Sequence, residues 1–419
     1  MFSRNARLYV LHVIGMDMIH GSWMVLFNLY LLAIGFDVKF VGLRLIVSGV
    51  AGALLSVPAG VVSDRIGRKA SFILGDGLGA TLGVINILTL NRSVLLTTAV
   101  VGAFFSSLHH VSEPPFMHEN SKPAERIHLF SISDSLRTAS AMVGSLLAGF
   151  LPLLLAARVG KLTAYRYATF VGLGLWFLSL IPALMLRREV SADDKPGAAR
   201  ERRGLFASIE NPALMAKLVA PELLLALGGG LVLPLANVFF SHGLHAHEGH
   251  IGSTFAGGQL AFALSALLAP LLVARMSKVS AVCITRLAAV PFVLVLAMAM
   301  LQRESGWAMP VVMGAWILRT SVFNMASPIE SAFNMEILTL RERATLAGLD
   351  AAAYAGMTAL GAFISSRLLT SGDYSTPFVG MAAMYILSTA LFWKFFKAME
   401  PPSVAEPPLK APVREFESA

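Results

Sequence analysis

Asp17 and His20, in the stretch GMDMIHG, are a carboxylate and an imidazole three residues apart inside a long apolar run. On a helix that spacing puts both on one face. Desolvation favours the protonated form of a carboxylate held in a cavity, which is what proton coupling requires; the plain alternative is a polar pair buried for packing. Arg319, in WILRTSVFN, is a cation in another apolar run. It keeps its charge across the accessible pH range, so it suits an anion contact better than a proton shuttle. Glu222 follows Pro221, where a helix break is expected. Glu113 and Glu330 lie beside Pro114, Pro115 and Pro328, which are expected to kink their helices, and Arg137 is placed to neutralise Glu113. These three charges read as gate charges with a structural role. His109 and His110 precede them, either satisfied in a core or reaching a cavity.

His242, His245, His247 and His250 cluster around Glu248 in SHGLHAHEGHIG. Imidazoles at that density can bind zinc or copper, but the spacing matches no closed structural site, and an exposed connection needs polar residues anyway. No metal or other cofactor is therefore assigned. No paired catalytic constellation and no phosphate-cradling loop of the G-x-x-x-x-G-K-[ST] type is present, so neither an enzyme nor an ATP-driven pump is expected.

All of these residues must be positioned by apolar helices. The chain has 419 residues, 56% of them hydrophobic and only 14% charged, which is more apolar side chain than a soluble core can hide. Stretches long enough to cross a bilayer recur from Leu8 to Phe396. Their limits are read as 8–36, 40–62, 70–91, 92–117, 128–156, 165–186, 213–241, 252–275, 280–302, 308–334, 344–371 and 377–397. The fold class is thus an all-α polytopic membrane protein with twelve transmembrane helices. The N-terminal MFSRNARLYV reads as the start of a retained helix, and the single cysteine, Cys283, allows no internal disulfide.

Most of the 33 Lys and Arg residues fall in connections on the side of the two termini, which the positive-inside rule makes cytoplasmic. Topology thereby explains the net charge of +8 without a nucleic-acid partner. The long connection after Leu186 is polar, carries Pro196 and Gly197, and divides the chain into a six-helix half (1–186), a cytoplasmic linker (187–212), a second six-helix half (213–397) and a tail (398–419). Its arginine cluster can meet anionic lipid, or simply be a solvated inside loop.

The halves carry an internal repeat. Glu113, Phe116, Glu119, Glu125 and Arg126 each recur 217 residues later as Glu330, Phe333, Glu336, Glu342 and Arg343, and Gly144 recurs as Gly361. Asn28 pairs similarly with Asn237, and Gly42 with Gly252. Duplicated six-helix halves are an architecture of transporters that rock about a central site.

Between the second and third spans, Gly60, Asp64, Arg65, Gly67, Arg68 and Lys69 fit G-x-x-x-D-R-x-G-R-[RK]. Gly60 is expected to let its helix approach a neighbour closely, and the cations to hold the loop in the cytoplasm. This loop resembles the signature of the major facilitator superfamily, and with the spans and the repeat the resemblance covers nearly the whole chain. It implies that Asp64 latches the facing half and favours an outward-open state; the plain alternative is a topology signal. The corresponding stretch VARMSKVS keeps cations but lacks the aspartate, so no latch is carried over to it. The resemblance also implies that helices one, four, seven and ten flank a central cavity, where Asp17 and Arg319 are expected to face each other or a common substrate.

The resulting expectation is a monomeric secondary transporter of a small organic molecule in a bacterial inner membrane. Its partners are substrate, protons and lipid. Proton-coupled efflux is the first reading; a sugar or organic-acid symporter, or a metal-ion exporter, is the alternative. A channel and a receptor are the competitors from other classes.

Overall fold

The computed structural model describes residues 2–187 and 209–398, so most of the linker with its arginines, and the tail beyond Ala398, lie outside the described residues. Those residues form helices and turns, with no strand among them. Twelve helical segments follow the expected order: α1 (Arg4–Ala33), α2 (Val38–Ile66), α3 (Arg68–Leu88), α4 (Arg92–Glu119), α5 (Pro123–Val159), α6 (Lys161–Leu184), α7 (Pro212–Val232), α8 (Glu248–Ala266), α9 (Lys278–Leu301), α10 (Ala308–Asn324, resuming as Ala326–Ile337), α11 (Leu340–Thr370) and α12 (Thr376–Phe396). Ten are long and apolar enough to span a bilayer unaided. The other two are α8, which breaks after Ala266, and α10, which breaks at Met325. Large apolar side chains face outwards, Leu54 at 70% and Leu154 at 73% exposure, as an integral membrane protein requires of a lipid-facing surface.

Local chemistry sets the ends. Asp37 accepts from the Phe40 N–H to cap α2, and Asn91 from Ser93 and Val94 to cap α4. Gly67, at φ +85°, closes α2 and opens α3, a conformation that favours glycine. The repeated Glu-Arg pairs build the same corner twice. Glu125 and Glu342 accept from the backbone N–H of Lys122 and Thr339 at the starts of α5 and α11, while Arg126 and Arg343 reach back to the preceding turn.

The prolines act unequally: α10 is interrupted at Met325, where Pro328 has no N–H for the Asn324 carbonyl, but the break expected at Pro221 is absent. α4 runs through Pro114 and Pro115, and α7 through Pro221, without a break. The carbonyl of Pro221 accepts from the Ser388 hydroxyl instead. Interruption comes later in α7, where Leu233–Leu235 is a 3-10 turn and Phe239–Gly243 a π turn.

Helices α1–α6 pack largely on one another, as do α7–α12. The repeat-related glycines explain the tightest crossings. A Cβ on Gly144 would lie 1.9 Å from the Met18 carbonyl oxygen, and one on Gly361 would lie 2.6 Å from that of Leu227. The two groups meet where α2 crosses α11 and α5 crosses α8. A Cβ at Gly42 would sit 2.0 Å from Ser366 Oγ, and one at Gly252 2.5 Å from the Ser145 carbonyl oxygen. Asn28 Nδ2 donates to Asn237 Oδ1 at 3.1 Å, so these repeat mates touch each other, as residues beside a pseudo-two-fold axis do. Gly60 departs from this pattern: a Cβ there meets nothing within 4 Å, so close packing is not its role.

Candidate functional site

The contacts just described gather at the end opposite the N-terminus. Lys161 Nζ and the Tyr165 hydroxyl, both on α6, add a tie to Glu248 at the start of α8, the lysine at 2.8 Å. A cavity of about 520 Å³ reaches from Leu233 and Pro234 to Glu222 and Glu330, walled by the second group with His20 and Met24 of α1 on its other side. Its walls include His20, Phe255, Trp316, Arg319, Phe323, Tyr354 and Tyr385.

Arg319 is 4% exposed, lies over the rings of Phe323 and Tyr385, and donates to the Tyr385 hydroxyl. Its Nε has no hydrogen-bond partner, and no carboxylate pairs with it among the described residues. Such a cation carries an unmet demand for an anion. The expected meeting of Arg319 with Asp17 does not occur. Asp17 Oδ2 is 3.0 Å from Arg137 Nε, and Arg137 Nη1 donates to both oxygens of Glu113 at 2.7 Å. The physical reason is proximity: a carboxylate inside one helical group takes the cation of that group.

A second cluster mirrors the first. Arg286 Nη2 donates to Glu222 Oε1 at 2.8 Å and Glu330 Oε2 at 2.5 Å, which joins Glu222 to Glu330. All three line the central cavity, whereas none of Asp17, Glu113 and Arg137 does. His20 is exposed to the cavity, one turn from buried Asp17. Arg286 escaped the sequence reading. Its signal was a cation inside an apolar run, the criterion that selected Arg319.

In the signature loop, Asp64 Oδ1 pairs with Arg68 at 2.9 Å, and Arg68 Nη1 donates to Ser63 Oγ, which meets Ser112 Oγ at 2.7 Å. Arg65 lies in the last turn of α2, while Lys69 follows Arg68 at the start of α3. In the counterpart loop, Lys278 pairs with Glu336 of α10. His242, His245, His247 and His250 do not converge. The rings of His247 and His250 are 6.2 Å apart, and His245 takes a left-handed backbone with φ 52°. Among the described residues the group close enough to share a metal is His12, Asp76 and His109, of which only His109 was singled out from sequence.

A second cavity, of about 400 Å³, lies largely within α1–α4 and is lined by Arg44, Asp76, His109 and His110. Arg44 stacks 4.4 Å from the Phe27 ring centre, and its Nε has no partner.

Comparison with known proteins accords with this architecture. The nucleoside transporter NupG has 14% identity and a TM-score of 0.74, over 94% of this chain and 99% of that one. A bacterial homologue of the iron transporter ferroportin in an inward-facing state has 16% identity and a TM-score of 0.73, over 94% and 98%. A D-xylose-proton symporter has 15% identity and a TM-score of 0.71, over 93% and 97%. At these identities the likeness is one of fold. No curated protein sequence matches the chain. The family model described as Major Facilitator Superfamily matches residues 10–221, and the chain belongs to that superfamily, with its transporter fold.

Proposed function

We propose that the chain carries a small organic anion across the membrane by alternating access of its two six-helix groups, coupled to protons. The observation behind this reading is Arg319, a buried cation with an unpaired Nε in the wall of the central cavity. Arg137 and Arg286 each hold two carboxylates, and Arg44, whose Nε is also unpaired, lines the second cavity. The aromatic rings around Arg319 suit the apolar body of an organic acid.

Coupling follows from charge counting. Two carboxylates around Arg286 leave one surplus negative charge when both are ionised, and that charge faces the same cavity. It repels an incoming anion, and a proton on Glu222 or Glu330 removes the repulsion. Proton and anion therefore strengthen each other's binding, a linkage that supports symport of an organic acid over the efflux first expected. With both termini cytoplasmic, the closed end is the outer one and the conformation is inward-open. One chain supplies both groups, which supports a monomer, and we place it in a bacterial inner membrane.

The test is counterflow in liposomes loaded with unlabelled organic acids or with their neutral amides. Labelled acid should accumulate against unlabelled acid and not against amide. Counterflow of neutral solutes alone, or unchanged acid counterflow in Arg319→Gln, refutes the reading.

A further inference from the structure

The geometry points to a binding site for a first-row divalent metal ion, held by His12 of α1, Asp76 of α3 and His109 of α4 within the first six-helix group. All three residues are buried, and their donor atoms lie within 4.8 Å of one another. His12 Nε2 and His109 Nδ1 approach the same oxygen, Asp76 Oδ2, at 2.9 and 2.8 Å. Close packing enforces this, since a Cβ on Gly75 would lie 2.9 Å from the Phe105 carbonyl oxygen and 3.3 Å from the His109 nitrogen.

The outer nitrogens decide what the inner ones can do. His12 Nδ1 is 2.7 Å from the Ser179 carbonyl oxygen, which only accepts, so Nδ1 carries the hydrogen. In a neutral ring Nε2 is then a bare lone pair facing a carboxylate oxygen. Two acceptors at 2.9 Å repel unless a cation lies between them, either a proton or a metal. His109 Nε2 lies 3.3 Å from the Tyr9 hydroxyl, which can accept its N–H and so leave the Nδ1 lone pair towards Asp76. Each imidazole thus has its second nitrogen on an oxygen, the bracing that metal-ligating histidines use.

Two imidazoles and a carboxylate suit zinc and its first-row neighbours. Bonds of about 2.0 Å to a tetrahedral ion set donors roughly 3.3 Å apart, so the side chains open by about half an ångström on loading. Asp76 and His109 also line the second cavity, which leaves a further coordination position reachable from there. This site uses none of the residues on which the anion reading rests.

The test is Zn²⁺ titration of the purified, chelator-stripped full chain against a chromophoric chelator, with metal counted by mass spectrometry after desalting. One Zn²⁺ per chain is expected. Asp76→Asn and His12→Gln should weaken binding at least about 100-fold, and Tyr9→Phe about 10-fold, the range of losses for outer-shell partners. Replacing His242, His245, His247 and His250 by Ser should leave it unchanged. Co²⁺ should give the visible absorption of a tetrahedral site in the wild type. No saturable Zn²⁺ binding by the wild type overturns the site, leaving a shared proton between His12 and Asp76. Binding that survives Asp76→Asn, or that vanishes with the four loop histidines, overturns it as well. The wild-type titration and Tyr9→Phe decide the matter even where Asp76→Asn does not fold.

Discussion

The Asp17–Arg137–Glu113 and Glu222–Arg286–Glu330 clusters have the same plan with a different origin for the cation. In both, an acid from the first helix of a group and an acid from its fourth share one guanidinium. Glu113 and Glu330 are repeat mates, and Asp17 and Glu222 lie on corresponding helices. The arginine comes from α5 in one group and from α9, the counterpart of α3, in the other. Where α9 carries Arg286, α3 carries Asp76 with its two histidines. Duplication fixed Glu113 and Glu330, while Glu222 stands one turn from the repeat position of Asp17 and the balancing charge comes from a different helix in each group.

Exposure separates them further. Arg137 is 19% exposed and Arg286 2%, while Glu222, at 29%, opens to the central cavity. The second cluster buries its cation and presents its acids; the first sits away from the cavity wall. Under the proposed symport, proton exchange with a bound anion falls to the second.

Removing the cations tests this contrast most severely. Arg286→Ala leaves two carboxylates around an empty, buried position and should destabilise the protein by about 3–5 kcal/mol, because uncompensated buried charge is costly. Arg137→Ala should cost more, since Asp17 and Glu113, at 12% and 11% exposure, are shut off from water more than Glu222 and Glu330, at 29% and 15%. Thermal unfolding in detergent reads both, and equal losses erase the distinction.

Next in size is coupling. Glu330→Gln should reduce proton-driven accumulation more than tenfold while leaving substrate exchange within about twofold, since exchange needs a site and two conformations but no net proton movement. Asp17→Asn should change accumulation by about twofold or less. The reverse ranking, measured in the same liposomes, returns coupling to the first cluster.

A smaller difference concerns the repeat glycines. Gly144→Ala should destabilise more than Gly361→Ala, each by about 1–3 kcal/mol, because the added methyl overpacks a tighter crossing. Matching shifts in unfolding temperature break the ranking.

The smallest effect is at the closed end. Burial pushes the Glu248 carboxyl up, but hydrogen bonds from Lys161 and Tyr165 outweigh it and hold it below the ordinary carboxylate range. The tie therefore contributes fully above that ordinary range and is lost as pH falls through the lowered value. Spin labels on α6 and α8 should report modest opening in acid for the wild type and at neutral pH for Glu248→Gln. A distance independent of pH removes the tie from the closure.

The helical order was legible because an apolar run of spanning length has few other uses, and the repeat was legible because its residues make the same corner twice. Arg137 beside Glu113 was legible from helical spacing. The prolines were legible unequally: α7 absorbs Pro221, while the break in α10 falls within a turn of Pro328. Arg286, His12 and Asp76 were passed over, since each looks isolated in its own span and gains meaning only beside partners from other helices.

Hydropathy, charge asymmetry and the Asp64 loop are local in the chain, so the sequence by itself determined a twelve-span membrane protein of this superfamily with two related halves. Which carboxylate meets which guanidinium is a property of helices distant in sequence crossing at a given depth and rotation. Only the tertiary structure decided that Asp17 belongs to Arg137, that Glu222 and Glu330 share Arg286, and that Arg319 faces the cavity without a carboxylate. The physical reason is that a buried charge is satisfied within about 3 Å, a distance set by how helices cross and not by their order in the chain.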